Sequence, residues 1–338
     1  MWQRCFVAAA GLTCAALIGP AYAQRAAENA VNSAEDAFGV SLGNENVGLY
    51  NSNSARGFNP LQAGNLRVDG LYWDQQGQAP GRTYASTTMR VGLSAQSYPF
   101  PAPTGIVDTR LSRPADHFSG SVALGFGPYE SLLIDTEVSG PLVADKLGVY
   151  ATLKWERPQL DQRGKYINYA SGAVLRWTPS DTVDVVAFHQ RYDANKAKVA
   201  PTFSLFSAGG AIPTEYDRSI YFTQPWAART RHVNHTGTII SATVFDDWLW
   251  RTGIFRSHQT LDHDFFIFYR NVGPDGVGTL DVLKTAPLRD VSYSGETRQD
   301  RRRGYKARTH LHSQRVGPRQ CHAGDARRFL RRAVARPW

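Results

Sequence analysis

Ser257–Phe265 gathers four side chains able to ligate a metal: His258, Asp262, His263 and Asp264. Imidazole and carboxylate are common donors to zinc and iron, so a metal or ferric-ligand site is one reading of this stretch. A polar strand end entering a loop is the plainer reading and is preferred, because donors close in sequence need not converge in space. His310, His312 and His322 lie in a basic tail and carry little weight. Neither a His-Glu-x-x-His pair nor a Walker loop is present, and the chain is expected to be no enzyme and to carry no cofactor.

Compartment comes next. Arg4 precedes the largely apolar run Phe6–Ile18, and Ala21-Tyr22-Ala23 supplies a small-x-small cleavage pattern before Gln24. These features predict a signal peptide over residues 1–23 and an exported mature chain. Cys5 and Cys14 fall inside it, and only Cys321 follows, which excludes a disulfide scaffold and a cysteine metal cluster. No later segment has the ~18 consecutive apolar residues of a membrane helix. Of 38 basic and 29 acidic residues, 13 and 3 lie in 296–338, leaving a nearly neutral remainder. A nucleic-acid face would need its basic residues on the folded part, so nucleic acid is not an expected partner.

Residues 116–295 carry strand periodicity. In Leu147–Glu156, Leu147, Val149, Ala151, Leu153 and Trp155 oppose Gly148, Tyr150, Thr152, Lys154 and Glu156, as side chains do across a strand. Ser119–Phe126, Leu132–Ser139, Tyr166–Trp177, Thr236–Phe245 and Trp248–Ser257 read likewise, as does Val183–Tyr192, which is mixed on both faces. Their lengths suit tilted membrane strands of ~9–11 residues. Short turns at Pro141–Lys146, Thr178–Asp181 and Asp246–Asp247 alternate with the longer Arg157–Lys165 and Asp193–His235, the layout of an outer-membrane barrel. Asp135, Glu137, Lys154, Glu156, Arg176 and Arg251 lie opposite the apolar faces and suit a wet lumen. A soluble sandwich also alternates, but seldom repeats charges on one face.

The region before these strands adds a resemblance. Asp36-Ala37-Phe38-Gly39-Val40, Gly48-Leu49-Tyr50 and Ala55-Arg56-Gly57-Phe58 lead into Asn65-Leu66-Arg67-Val68-Asp69-Gly70-Leu71-Tyr72. Met89-Arg90-Val91-Gly92, Pro103–Asp108 and Arg113-Pro114 follow. In this order the motifs resemble the plug domain of TonB-dependent receptors and its exit into the first barrel strand, over about residues 30 to 295. The resemblance implies a mainly β fold, with a plug at 24–115 and the first part of a transmembrane antiparallel barrel at 116–295. It implies a Gram-negative outer-membrane receptor for a ferric siderophore or similar scarce nutrient. Its partners would be the inner-membrane TonB energy-transducing complex, the ferric ligand and outer-membrane lipid. Arg56 matches the family's ligand-facing arginine, with Tyr72, Trp73 and Tyr98 as further substrate-binding residues. Arg supplies planar donors for anionic ligands and the aromatics stack on ligand rings. Arg56 bracing the plug against acidic wall residues is an equal alternative. Tyr216, Tyr221, Phe222 and Trp226 in the long loop are additional candidates.

The sequence departs from that pattern in three ways. The segment before Phe38 is short and without a recognisable TonB box, and the early plug is abbreviated. Seven or eight candidate strands are present, whereas a plugged barrel has about 22. Residues 296–338, with Arg301-Arg302-Arg303, Arg327-Arg328 and Arg331-Arg332, offer a reason for the missing strands. These are expected to be out of frame from about Gln299; a disordered basic tail and a nucleic-acid arm are the alternatives. The expectation is therefore a partial receptor that does not transport as written. A complete small outer-membrane β-barrel with a structural or adhesive role is the competing reading, and an outer-membrane enzyme a third.

Overall fold

A computed structural model describes residues 31–35, 41–42, 50–51, 54–55, 59, 62–77, 82–90, 105–127, 130–158, 166–199, 201–204, 223–244, 248–271, 278–301, 309–313 and 327–329. The expected signal peptide, the Arg-Gly-Phe motif and most of the arginine-rich tail lie outside the described residues. No helix among the described residues is long and apolar enough to cross a membrane, which says nothing about spanning by strands.

Eight strands precede the periodic region: β1 (Val31–Glu35), β2 (Ser41–Leu42), β3 (Tyr50–Asn51), β4 (Ser54–Ala55), β5 (Leu66–Val68), β6 (Leu71–Tyr72), β7 (Tyr84–Arg90) and β8 (Ile106–Leu111). Six of them form one mixed sheet in the order β2-β1-β7-β8-β5-β6, and β3 pairs only with β4. The plug region is built on this sheet. β5 and β6 are joined by Asp69-Gly70, both at positive φ (47° and 78°). A two-residue hairpin loop needs that geometry, and Asp-Gly supplies it at little steric cost.

The wall follows as β9 (Ser119–Gly127), β10 (Ser131–Val143), β11 (Leu147–Arg157), β12 (Ile167–Ser180), β13 (Val183–Lys198), β14 (Thr202–Ser204), β15 (Ala228–Val244), β16 (Trp248–Arg270), β17 (Thr279–Thr285), β18 (Leu288–Arg301), β19 (Thr309–Ser313) and β20 (Arg327–Phe329). The main path is β9-β10-β11-β12-β13-β15-β16-β18-β19, every neighbouring pair antiparallel. Among the described strands this sheet does not close on itself; β9 and β19 are its ends. β14, β17 and β20 make a smaller sheet on the far half of β16.

The expected alternation sets the two faces. Val122, Leu124, Phe126, Leu175, Trp177, Trp250 and Ile254 are exposed on the outer face, while Tyr150, Val174, Phe188, Ile239 and Phe255 are buried on the inner one. The inner residues share one core with Leu66, Val68, Leu71, Trp73, Val107 and Leu111 of the first sheet. The plug sheet therefore sits against the concave side of the wall.

Strands also run beyond their apolar cores. The segment 193–235, expected as one loop, contains the end of β13, all of β14 and the start of β15. β18 continues past residue 295 to Arg301. Outward apolar residues stop there while the backbone ladder continues, so periodicity underestimates the strand.

Candidate functional site

The inner face of β16 and β18 grips the plug hairpin. Glu296 on β18 is central: its Oε2 accepts from Arg67 Nη1 at 2.5 Å and from the Tyr72 backbone N–H at 2.6 Å. Both side chains of the ion pair are 5% exposed. Arg298, two residues on and on the same face, donates to the Gly70 carbonyl at 2.7 Å, and Arg251 of β16 donates to the Asp69 carbonyl at 2.9 Å. The hairpin turn thus points its carbonyls at two guanidinium groups. Burial is the largest influence on the Arg67 guanidinium and lowers its pKa; the Glu296 carboxylate opposes that shift. Inside the plug, Arg113 pairs with Asp69 at 2.9 Å, and Asp108 accepts from the Gly70 N–H at 2.8 Å. Burial raises the Asp108 pKa above the usual carboxylate value.

Beyond the hairpin, residues 73–76 run extended along the wall. The Asp74 N–H donates to Ser294 Oγ at 3.0 Å, and the Gln76 N–H to Ser257 Oγ at 2.6 Å. The Gln76 carbonyl accepts from His235 Nε2 at 3.1 Å and from Ser257, and Ser292 donates to the Asp74 carbonyl. An extended segment without a strand partner leaves its backbone groups unsatisfied; wall hydroxyls and one imidazole satisfy them here.

A second grip lies on β10 and β11. Arg82 pairs with Asp135 and donates to Thr152 Oγ1 at 2.9 Å, and Gln190 of β13 donates to Thr83. Tyr150 donates to Glu137 at 2.9 Å. The charges Asp135, Glu137, Lys154, Glu156, Arg176 and Arg251 do face the concave side, where the alternation placed them. On the turn side, a cavity of 640 Å³ opens below the plug exit, lined in part by Asp116, Lys146, Arg176, Asp181 and Asp184.

The predicted ligand residues divide. Arg56 and Tyr98 lie outside the described residues, as do Tyr216, Tyr221 and Phe222. Tyr72 (5% exposed) and Trp73 (1%) are covered by the wall. Trp73 packs edge-on to His235 at 5.0 Å and to Phe188 at 6.2 Å, and the Arg67 guanidinium lies 5.9 Å from the Tyr72 ring centre. The structure places these two rings as packing groups and not on an open ligand face. Their apolar area is most favourably buried where two sheets meet. Trp226 is half-exposed, edge-on to Phe265 at 5.7 Å.

The cluster in Ser257–Phe265 separates. Asp264 binds Arg229 at 2.6 Å, Asp262 approaches His232 at 3.6 Å, and His258 lies on the outer face. The sequence also spells Gly39-Val40-Ser41-Leu42-Gly43, the pattern of a nucleophile elbow. An elbow needs its serine at a strand-to-helix turn; Ser41 lies within β2, paired with Glu35.

The residues missed by sequence reasoning are Glu296, Arg298, Ser257, Ser292, Ser294 and His235. Their signal was present only as polar residues at alternate positions on strands.

A plug held by polar side chains on the concave face of an antiparallel wall, apolar outside and charged inside, defines the fold of the plugged outer-membrane receptors. Solved structures of that fold match this chain. The pyoverdine outer membrane receptor FpvA from Pseudomonas aeruginosa PAO1 bound to pyoverdine matches with a TM-score of 0.55 and 16% identity, over 70% of this chain and 36% of the receptor. FpvA of P. aeruginosa bound to a heterologous pyoverdine–iron complex matches with 0.52 and 16%, over 75% and 39%. The FpvAI–pyocin S2 complex matches with 0.51 and 14%, over 73% and 39%. The chain thus spans somewhat over a third of the length of these receptors. No protein-family model matches it, and no curated protein does.

Proposed function

We propose that this chain is the plug and first wall strands of an outer-membrane receptor that takes up a ferric siderophore, powered by the TonB complex of the inner membrane. The reading rests on one observation above all. The plug segment 66–76 is bound by side chains along the concave face of a wall whose convex face is apolar in its turn-side part. A wall built that way suits lipid outside and a wet lumen inside, and a lumen filled by a removable plug suits gated import. The solved receptors of this fold are described as bound to pyoverdine or to a pyocin, which supports the ligand class. Arg56 and Tyr98 are the proposed ligand-facing residues; Tyr72 and Trp73 hold the plug that carries them.

Titration of the full chain, folded in detergent, with ferric hydroxamate, catecholate and mixed-ligand siderophores tests the reading. Tryptophan fluorescence is expected to be quenched saturably by one class, with Arg56→Ala weakening it at least tenfold. No saturable quenching by any class, together with recovery of the chain in the soluble periplasmic fraction, would overturn it.

A further inference from the structure

The outer face changes character partway up β13, β15, β16 and β18. Beyond the row at the turn, where Arg301 pairs with Trp248, its next rows carry Val185, Ile240, Trp250 and Ile254 and no charge. Three successive rows then carry His189, Thr236, Arg256 and Tyr293; Arg191, Asn234, His258 and Val291; and Asp193, His232, Thr260 and Arg289. These rows hold three arginines and three histidines against one aspartate. On the neighbouring β11 and β12 the same rows, in the same order, carry Ala151 and Ala173, Leu153 and Ser171, and Trp155 and Tyr169. The basic patch is therefore confined to four strands, with aromatics at its flank.

Depth locates it. A strand rises ~3.4 Å per residue and barrel strands tilt ~40°, so each residue climbs about 2.6 Å. Arg256 stands eight residues beyond Trp248 at the turn, roughly 21 Å up an apolar band of about 25 Å. Arg256, His258 and Arg289 thus straddle the loop-side edge of the hydrocarbon, where headgroups begin.

The arginines are held facing outward but not neutralised together. Arg256 lies 6.0 Å from the Tyr293 ring centre and donates to its hydroxyl at 3.3 Å. Asp193 takes Arg191 at 2.6 Å and His232 at 2.6 Å. Among the described residues Arg256 and Arg289 have no carboxylate partner, and the buried Nε2 of His258 has no hydrogen-bond partner. Unpaired guanidinium groups at a lipid boundary suit phosphate, which accepts several charge-assisted hydrogen bonds at once.

We infer that this patch binds the phosphorylated headgroup of an outer-leaflet glycolipid. The patch spans three strand gaps and two residue pairs, roughly 14 Å each way, room for a disaccharide bearing more than one phosphate. The inference rests on the membrane reading above.

The test reconstitutes the full chain into nanodiscs containing lipid A or its dephosphorylated form, with retained glycolipid counted by native mass spectrometry. Lipid A is expected to be retained at least tenfold more than the dephosphorylated form. Arg191→Gln/Arg256→Gln/Arg289→Gln should abolish that preference, while Lys198→Gln should keep it. Insertion without any phosphate preference, a preference unchanged in the triple variant, or displacement of lipid A by millimolar inorganic phosphate would each overturn the inference. Failure to insert would instead count against the membrane reading. Circular dichroism of the triple variant separates loss of binding from loss of fold.

Discussion

Arg67 and Glu296 stand 229 residues apart in sequence and form a buried ion pair at 2.5 Å that links plug to wall. The same Glu296 oxygen takes the Tyr72 N–H, so one carboxylate fixes a side chain and the backbone of the hairpin together.

Removing one partner leaves the other charge buried and unpaired. Arg67→Ala or Glu296→Ala should each destabilise the plug by ~3–5 kcal/mol. Replacing both with apolar residues, as in Arg67→Met/Glu296→Leu, should cost much less than the sum. Urea unfolding in detergent, followed by protease cleavage within residues 66–76, measures each arm. Additive costs would mean that the pair does not couple the two parts.

Asp108 gives a pH dependence of known sign. Burial is the largest cause of its raised pKa, so the folded protein binds this proton more tightly than the unfolded chain. Its favourable contribution is complete below the ordinary value of 3.8 and is lost as pH rises through the folded pKa. Asp108→Asn keeps an acceptor for the Gly70 N–H and removes the charge. The variant should gain stability over the parent above that window and match it below 3.8. Chemical unfolding from pH 3 to 8 measures the difference; a variant that loses ground as pH rises would show that the charge itself is stabilising.

Close approach of plug to wall depends on Gly172. A Cβ there would lie 2.5 Å from Thr83 Cγ2, so Gly172→Ala should cost about 1–3 kcal/mol by overpacking. Thr83→Ser removes the offending methyl and keeps the hydroxyl that accepts from Gln190. The double variant should recover most of the loss in thermal unfolding. No recovery would place the strain elsewhere in the strand.

Trp73 separates packing from ligand binding. It is 1% exposed, so Trp73→Ala should destabilise by ~3–5 kcal/mol. Trp73→Phe should cost less and leave ferric-siderophore affinity unchanged. An affinity loss in the phenylalanine variant, with the fold intact by circular dichroism, would return this ring to the ligand site.

Ile254 tests the membrane face. It is 67% exposed, six residues beyond Trp248, which is near mid-band. Ile254→Arg should impair insertion into bilayers by ~2–4 kcal/mol. In a soluble sandwich the same change at an exposed site would be nearly neutral. Refolding yields into vesicles, compared with Thr260→Arg nearer the loops, decide between the two.

By itself the sequence determined what depends on neighbours in the chain. Alternation from Leu147 to Glu156 fixed β11 almost to its ends and put Lys154 and Glu156 on the concave face, because side-chain direction in a strand has a period of two. Asp69-Gly70 fixed a hairpin turn, because positive φ is a local property of the backbone. The limits of the strands were less legible: β13 and β16 run on through polar outward residues, where pattern ends but backbone pairing does not. Only the tertiary structure decided which plug atoms meet which wall atoms. Glu296, Ser257, Ser292 and Ser294 read as ordinary polar strand residues until Arg67, Tyr72, Asp74 and Gln76 are brought against them. Trp73 likewise reads as a ligand aromatic until His235 and Phe188 close over it. Such partners, some 115 to 230 residues apart, are matched through the stacking of two sheets. No local period along the chain records that stacking.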